Sequence, residues 1–172
     1  FADTAKRFGI FELLERWVGR SGELQVRTLT SYLKLVNSAG LAYILNFSLM
    51  RVEEAWNLRA GCLEVEHDKN FGDIFLLRGQ TTKTQADSDA LWVTSPSVKV
   101  AVRAMEVISL FRSLYAPHVA ASGLTGRFLT SFSYEPWAPS SKKNDHSLRP
   151  SIPSYSDLLS HYGKVFDLER LR

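Results

Sequence analysis

The sequence predicts an α+β fold, mainly helical, with a small three-stranded antiparallel sheet. Three observations predict it. Apolar residues recur at helical spacing in the first third of the chain. The pattern switches to a period of two near Cys62. After Pro96 it returns to a helical period over a long segment.

Ile10, Leu13, Leu14 and Trp17 follow the i, i+3, i+4, i+7 spacing of an amphipathic helix, and Gly19 with Ser21-Gly22 predicts its end. A second helix is expected with Val26, Leu29, Leu33 and Val36 on its inner face. The Asn37-Ser38-Ala39-Gly40 stretch predicts a break. From Leu41 to Met50 the chain is apolar nearly all round, which predicts a central buried helix. That helix is expected to run into Arg51, with Val52, Ala55, Trp56 and Leu58 continuing its apolar stripe.

The alternation Cys62-Leu63-Glu64-Val65-Glu66 reads as a strand, and Lys69 to Asp73 as a turn. Ile74 to Thr82 reads as a second strand, Lys83 to Asp89 as a polar hairpin tip, and Ala90 to Val93 as a third strand. Pro96 opens a long helix, with Val98, Val102, Met105, Ile108 and Leu110 directed inward. Phe128 to Tyr134 fits a short strand. Glu135 to Ser154 is rich in Pro, Ser, Lys and Asn and reads as a loop, and Tyr155 to Phe166 as a final helix. No internal repeat is evident.

Composition limits the function classes. With 172 residues, 45% of them apolar, and 10 Phe, 6 Tyr and 4 Trp, the chain can fill the core of one domain. The net charge of +3 permits a nucleic-acid partner without announcing one. Arg51 to Ala90 carries five Lys/Arg against eight Asp/Glu, and Leu91 to Arg172 carries ten against six. The tail is therefore the basic part, suited either to phosphate or to ordinary solvation. One cysteine, Cys62, excludes an internal disulfide and reads as a small buried residue. The chain opens on Phe1-Ala2-Asp3 without Met, which reads as a piece of a longer protein, and no signal peptide is expected. The apolar run Leu41 to Met50 is too short to span a bilayer. His67, His118, His146 and His161 lack metal-ligand spacing. There is no Gly-rich phosphate loop and no nucleophile elbow, so neither a metal nor a cofactor is expected.

What remains is an ordered set: an apolar helix, Arg51 at its end, Glu54 three residues on, a three-stranded meander with Lys83 at its second turn, and a long helix. From the residues alone, Arg51 is either a helix-surface arginine paired with Glu54 or an anion ligand. Lys83 is either an exposed turn lysine or a proton donor.

This order resembles the first half of the catalytic domain of tyrosine recombinases, the phage-integrase family. The resemblance covers roughly Leu41 to Leu114. It rests on Arg51-Val52-Glu53-Glu54 as the R-x-x-E segment and on Thr82-Lys83-Thr84 as the sheet-turn lysine. Where family members usually carry Gly just before the Leu-Arg pair or at a nearby position, this chain has Ser48-Leu49-Met50.

The resemblance implies a partial catalytic domain over 1–172. Leading helices would occupy 1–40, an Arg/Lys-bearing core 41–115, and a loop-rich basic tail with a final helix 116–172. It implies enzymatic breaking and rejoining of double-stranded DNA at specific attachment sites, by a homotetramer in the bacterial cytoplasm or nucleoid. Arg51 and Lys83 would be catalytic and Glu54 supporting. Lys142, Lys143 and Arg127 would be DNA-binding. A non-catalytic helical DNA-binding or interaction domain is the alternative.

The chemistry explains the residue types. A planar, permanently charged guanidinium can hold two phosphate oxygens as negative charge builds in the transition state. A lysine on a turn can protonate the leaving sugar 5′-oxygen. The family's second box, H-x-x-R, has a lookalike in His146-Ser147-Leu148-Arg149. Pro150 and Pro153 follow it, and a proline within a helix costs about 3 kcal/mol, so the lookalike reads as loop. The true box and the tyrosine nucleophile are expected in the intact protein, downstream of these residues.

Overall fold

The computed structural model describes residues 1–18, 24–81, 87–115 (112–115 as backbone), 127–130, 152–154 and 156. Among them the fold is α+β: helices α1 (Ala2–Arg7), α2 (Phe11–Val18), α3 (Val26–Ser48), α4 (Val52–Trp56) and α5 (Val98–Tyr115), with strands β1 (Leu63–Asp68), β2 (Gly72–Thr81) and β3 (Asp87–Thr94).

The expected break at Asn37 to Gly40 is absent. Instead, α3 runs unbroken for 23 residues, about 34 Å at 1.5 Å per residue. Gly40 serves packing. A Cβ there would lie 2.6 Å from Met105 Sδ and 2.9 Å from Met105 Cγ, so the missing side chain lets α5 cross α3 closely. The inner face also differs from expectation. Leu35, Leu41, Ile44 and Leu45 are buried, while Val26 is exposed and Leu33 and Val36 are half-buried. The Leu41 to Met50 run is buried on one side only, since Phe47 and Leu49 reach solvent.

β1, β2 and β3 form an antiparallel meander in that order. Register sets Leu63 opposite Leu77 and Leu77 opposite Trp92, so these three share the face turned to the helices. The first hairpin turns where Asp68 accepts hydrogen bonds from the N–H groups of Asn70 (2.7 Å) and Phe71 (3.0 Å). Gly72 follows at φ 73°, a left-handed conformation that glycine adopts without penalty. β3 begins at Asp87, within the segment expected to be hairpin tip. Between Gly79 and Thr81 the β2–β3 register shifts by an irregularity.

On the solvent side of the sheet, Arg78 joins all three strands. Its Nε and Nη2 donate to the two Glu64 carboxylate oxygens at 2.5 and 2.8 Å, and Nη1 donates to Asp89. Hydrogen bonding from Arg78, opposed by partial desolvation, holds the Glu64 carboxyl below its ordinary range. The same two carboxylates push the Arg78 pKa further up.

The core forms between α3, α5 and the sheet: Leu41, Ile44, Leu45, Leu58, Leu77, Val98, Val102 and Met105 pack with Leu129. Fully burying one such side chain contributes about 1.5–3 kcal/mol. Trp56 is buried here and Trp92 packs at its margin, both as core aromatics. Leu110 does not face inward. It is exposed, and Ser109 takes the buried position one turn beyond Met105, because a helical face at period 3.6 moves from 105 to 109. Phe128 pairs with Arg59 in an isolated bridge. Leu129 N donates to Leu58 O and Thr130 Oγ1 to Trp56 O, at 2.9 Å each. The rest of the expected strand, 131–134, lies outside the described residues, as does nearly all of the expected final helix. Among the described residues no helix is long and apolar enough to cross a membrane.

Candidate functional site

Arg51 was expected within a continuous helix, and the structure corrects this. α3 stops at Ser48, whose hydroxyl donates to Ile44 O at 2.7 Å. Leu49 then turns left-handed (φ 56°, ψ 21°), its N–H closing on Leu45 O at 3.1 Å. Arg51 is extended (φ −69°, ψ 150°) and is the N-cap of α4. This break leaves Arg51 on a turn between two helices, with its side chain half exposed.

Glu54 organises that turn. Its Oε2 accepts the Arg51 backbone N–H at 2.8 Å, one half of a capping box. The reciprocal half is closed to arginine, which has no acceptor. Its Oε1 lies 3.5 Å from Arg51 Nη1 and accepts the Thr81 hydroxyl at 2.7 Å. The Glu54 side chain is only 10% exposed, and a carboxylate so enclosed requires such partners. Thr81 comes from the far end of β2. One carboxylate therefore ties the Arg51 turn to the sheet. Glu53 is exposed.

A second contact secures the same corner, Thr94 Oγ1 donating to Phe47 O at 3.3 Å from the end of β3. Beside the turn lies an open cleft of about 470 Å³ lined by Leu45, Asn46, Leu49, Met50, Arg51 and Val52. Its walls are largely apolar and it carries one cation. Chemically, the arrangement can present a guanidinium to an anion while Glu54 holds the backbone beneath it.

Of the expected site residues, the structure brings together Arg51 and Glu54. Lys83, Lys142 and Lys143 lie outside the described residues. Arg127 is exposed, and its carbonyl accepts Ala60 N at 2.7 Å, at the connection into β1. Thr81 and the conformation of Leu49 were missed by sequence reasoning. A hydroxyl bonding 27 residues back leaves no local pattern, and leucine is not a residue that announces a left-handed turn.

Cys62 is buried, as expected. Desolvation, with Glu106 nearby adding repulsion, pushes its thiol up to about 12. Among the described residues no cluster of His, Cys, Asp and Glu is placed to hold a metal ion. No protein-family model matches the chain, and neither a curated protein nor a solved structure matches it significantly.

Proposed function

We propose that this chain is the leading part of the catalytic domain of a tyrosine-type site-specific DNA recombinase. Such an enzyme breaks and rejoins double-stranded DNA through a 3′-phosphotyrosine intermediate. The observation that supports the reading most is the Arg51–Glu54–Thr81 chain of contacts, which ties a half-exposed arginine to the end of β2, two residues before Lys83.

In this reading Arg51 holds non-bridging oxygens of the scissile phosphate and stabilises their growing charge. A tyrosine oxygen attacks phosphorus and the bond to the 5′-oxygen breaks. Lys83 gives that oxygen its proton. Glu54 fixes the backbone from which Arg51 projects. Arg127, Lys142 and Lys143 add backbone-phosphate contacts. The second arginine, the histidine and the tyrosine belong to the intact protein, which acts as a tetramer on its attachment sites in the bacterial cytoplasm or nucleoid.

The test is strand exchange by the intact protein on its own attachment sites. Arg51→Ala is expected to lower the rate by about 10²–10³-fold, with Arg51→Lys a poor substitute because it loses the bidentate fork. Lys83→Ala is expected to lower it by about 10²-fold or more. Unchanged exchange in both variants overturns the reading.

One observation favours a second reading, a non-catalytic helical DNA-binding or interaction domain. Both Glu54 oxygens already have structural work in the α4 cap and the Thr81 bond, which accounts for the R-x-x-E pattern without chemistry. Under that reading Arg51→Ala changes stability or binding, and no strand exchange is found with the wild type.

A further inference from the structure

Among the described residues, Leu49 is the one non-glycine with positive φ. The other positive-φ positions, at 66°, 84° and 73°, are Gly9, Gly61 and Gly72. A left-handed backbone costs an L-residue about 1–2 kcal/mol, through the crowding of Cβ against the following carbonyl. Packing does not offset this at Leu49, whose surface is 88% exposed. The fold thus bears a strain that glycine would remove, and holds an apolar side chain in water. Strain kept without a packing return points to function.

The position of the side chain says which function. Leu49 and Arg51 line the same cleft, with Leu45, Met50 and Val52 completing an apolar wall beside one guanidinium. A nucleic-acid strand alternates the two complementary features, an apolar sugar edge and an anionic phosphate.

We infer that Leu49 is a DNA-contacting residue, packing on the deoxyribose next to the phosphate that Arg51 binds. The inference rests on the recombinase reading of Arg51, and it adds a contact made by a strained residue. In the free chain Leu49 is exposed; on DNA its side chain leaves water. The contact therefore contributes to affinity, whereas the conformation that presents it detracts from folding stability. Stability and binding must then respond in opposite directions to one substitution, which a purely structural leucine would not do.

The experiment uses this chain and a fluorescent random-sequence duplex of about 20 base pairs at about 0.1 M salt, read by anisotropy, with thermal unfolding in parallel. Leu49→Gly is expected to melt about 3 °C higher and to bind about fivefold more weakly. Leu49→Asn, which tolerates the left-handed region, should also bind more weakly. Leu49→Met should keep the affinity. Arg51→Ala should weaken binding and reduce the salt slope by about one.

If Leu49→Gly and Leu49→Asn bind like wild type while Arg51→Ala is weaker, the Leu49 inference falls and the Arg51 reading stands. If none of the three is weaker, or the wild type does not bind duplex, both fall. If the Leu49 variants weaken binding and Arg51→Ala does not, the contact is not beside an Arg51-bound phosphate, and the inference is overturned.

Discussion

The Thr81 hydroxyl donates a 2.7 Å hydrogen bond to Oε1 of Glu54. It fastens the Arg51 turn to β2, alongside the Thr94 bond to Phe47 O from β3.

Thr81→Val keeps the shape and removes the donor. Among the described residues, the enclosed Glu54 oxygen then keeps only the longer 3.5 Å contact with Arg51, and the expected loss is about 1–3 kcal/mol of unfolding free energy. Thr81→Ser should recover most of it. Urea unfolding with unchanged m-values checks this, and a Val variant as stable as wild type would remove Thr81 from the corner.

At the α3–α5 crossing, Gly40→Ala sets two effects against each other. Alanine improves helix propensity by about 1 kcal/mol. Its Cβ would also enter the space of Met105 Sδ, which sits in a fully buried side chain and cannot swing into solvent. Overpacking of this kind costs about 1–3 kcal/mol, so a net loss is expected. Met105→Ala in the same chain should make the glycine substitution neutral or stabilising. The double-mutant cycle in denaturant measures the coupling.

The Arg78 cluster gives a pH signature. Glu64 has its pKa lowered in the folded state, chiefly by hydrogen bonding from Arg78. A depressed carboxylate adds stability above its unfolded value and loses it as pH falls through the folded value. Unfolding midpoints of wild type and Glu64→Gln should therefore differ above about pH 4.5, the ordinary glutamate value, and converge below it. High salt should shrink the difference, because the pair is exposed. A gap that persists in acid would assign the effect to packing.

Cys62 supplies the opposite sign. Its folded pKa is raised from 9.0 to about 12, so the neutral thiol is favoured by folding. The stabilisation is complete below pH 9 and is lost as pH rises from there toward 12. At pH 8 the thiolate, the reactive species, is suppressed. Labelling by iodoacetamide should follow the rate of chain opening, and urea should accelerate it sharply. Rapid labelling of the folded chain would contradict the burial.

Much of the architecture was legible in the residues, for identifiable reasons. The β1 strand, the turn expected over Lys69 to Asp73 and the inward positions Val98, Val102, Met105 and Ile108 are local patterns, and these survive folding. Gly40 misled because glycine marks both breaks and close crossings, and only the neighbour, Met105, decides which. The separation of α3 from α4 was hidden because the residue that makes it, Leu49, is a poor host for the conformation it adopts. Within the candidate site, Arg51 and Glu54 stand three residues apart and are visible as a pair. Thr81 reaches them through the fold alone.

Among the described residues, the order β1-β2-β3 leaves β1 outermost in the sheet. An outermost strand offers its unpaired amides to any extended chain that drifts past, a second copy of the same strand included. Here that edge reads Leu63-Glu64-Val65-Glu66-His67-Asp68. Two such edges zipped together would crowd six carboxylates along one seam, with Arg78 already occupied by its own glutamate. Glu66 and Asp68 of one copy would then face those of the next, and their repulsion opposes pairing of two β1 strands.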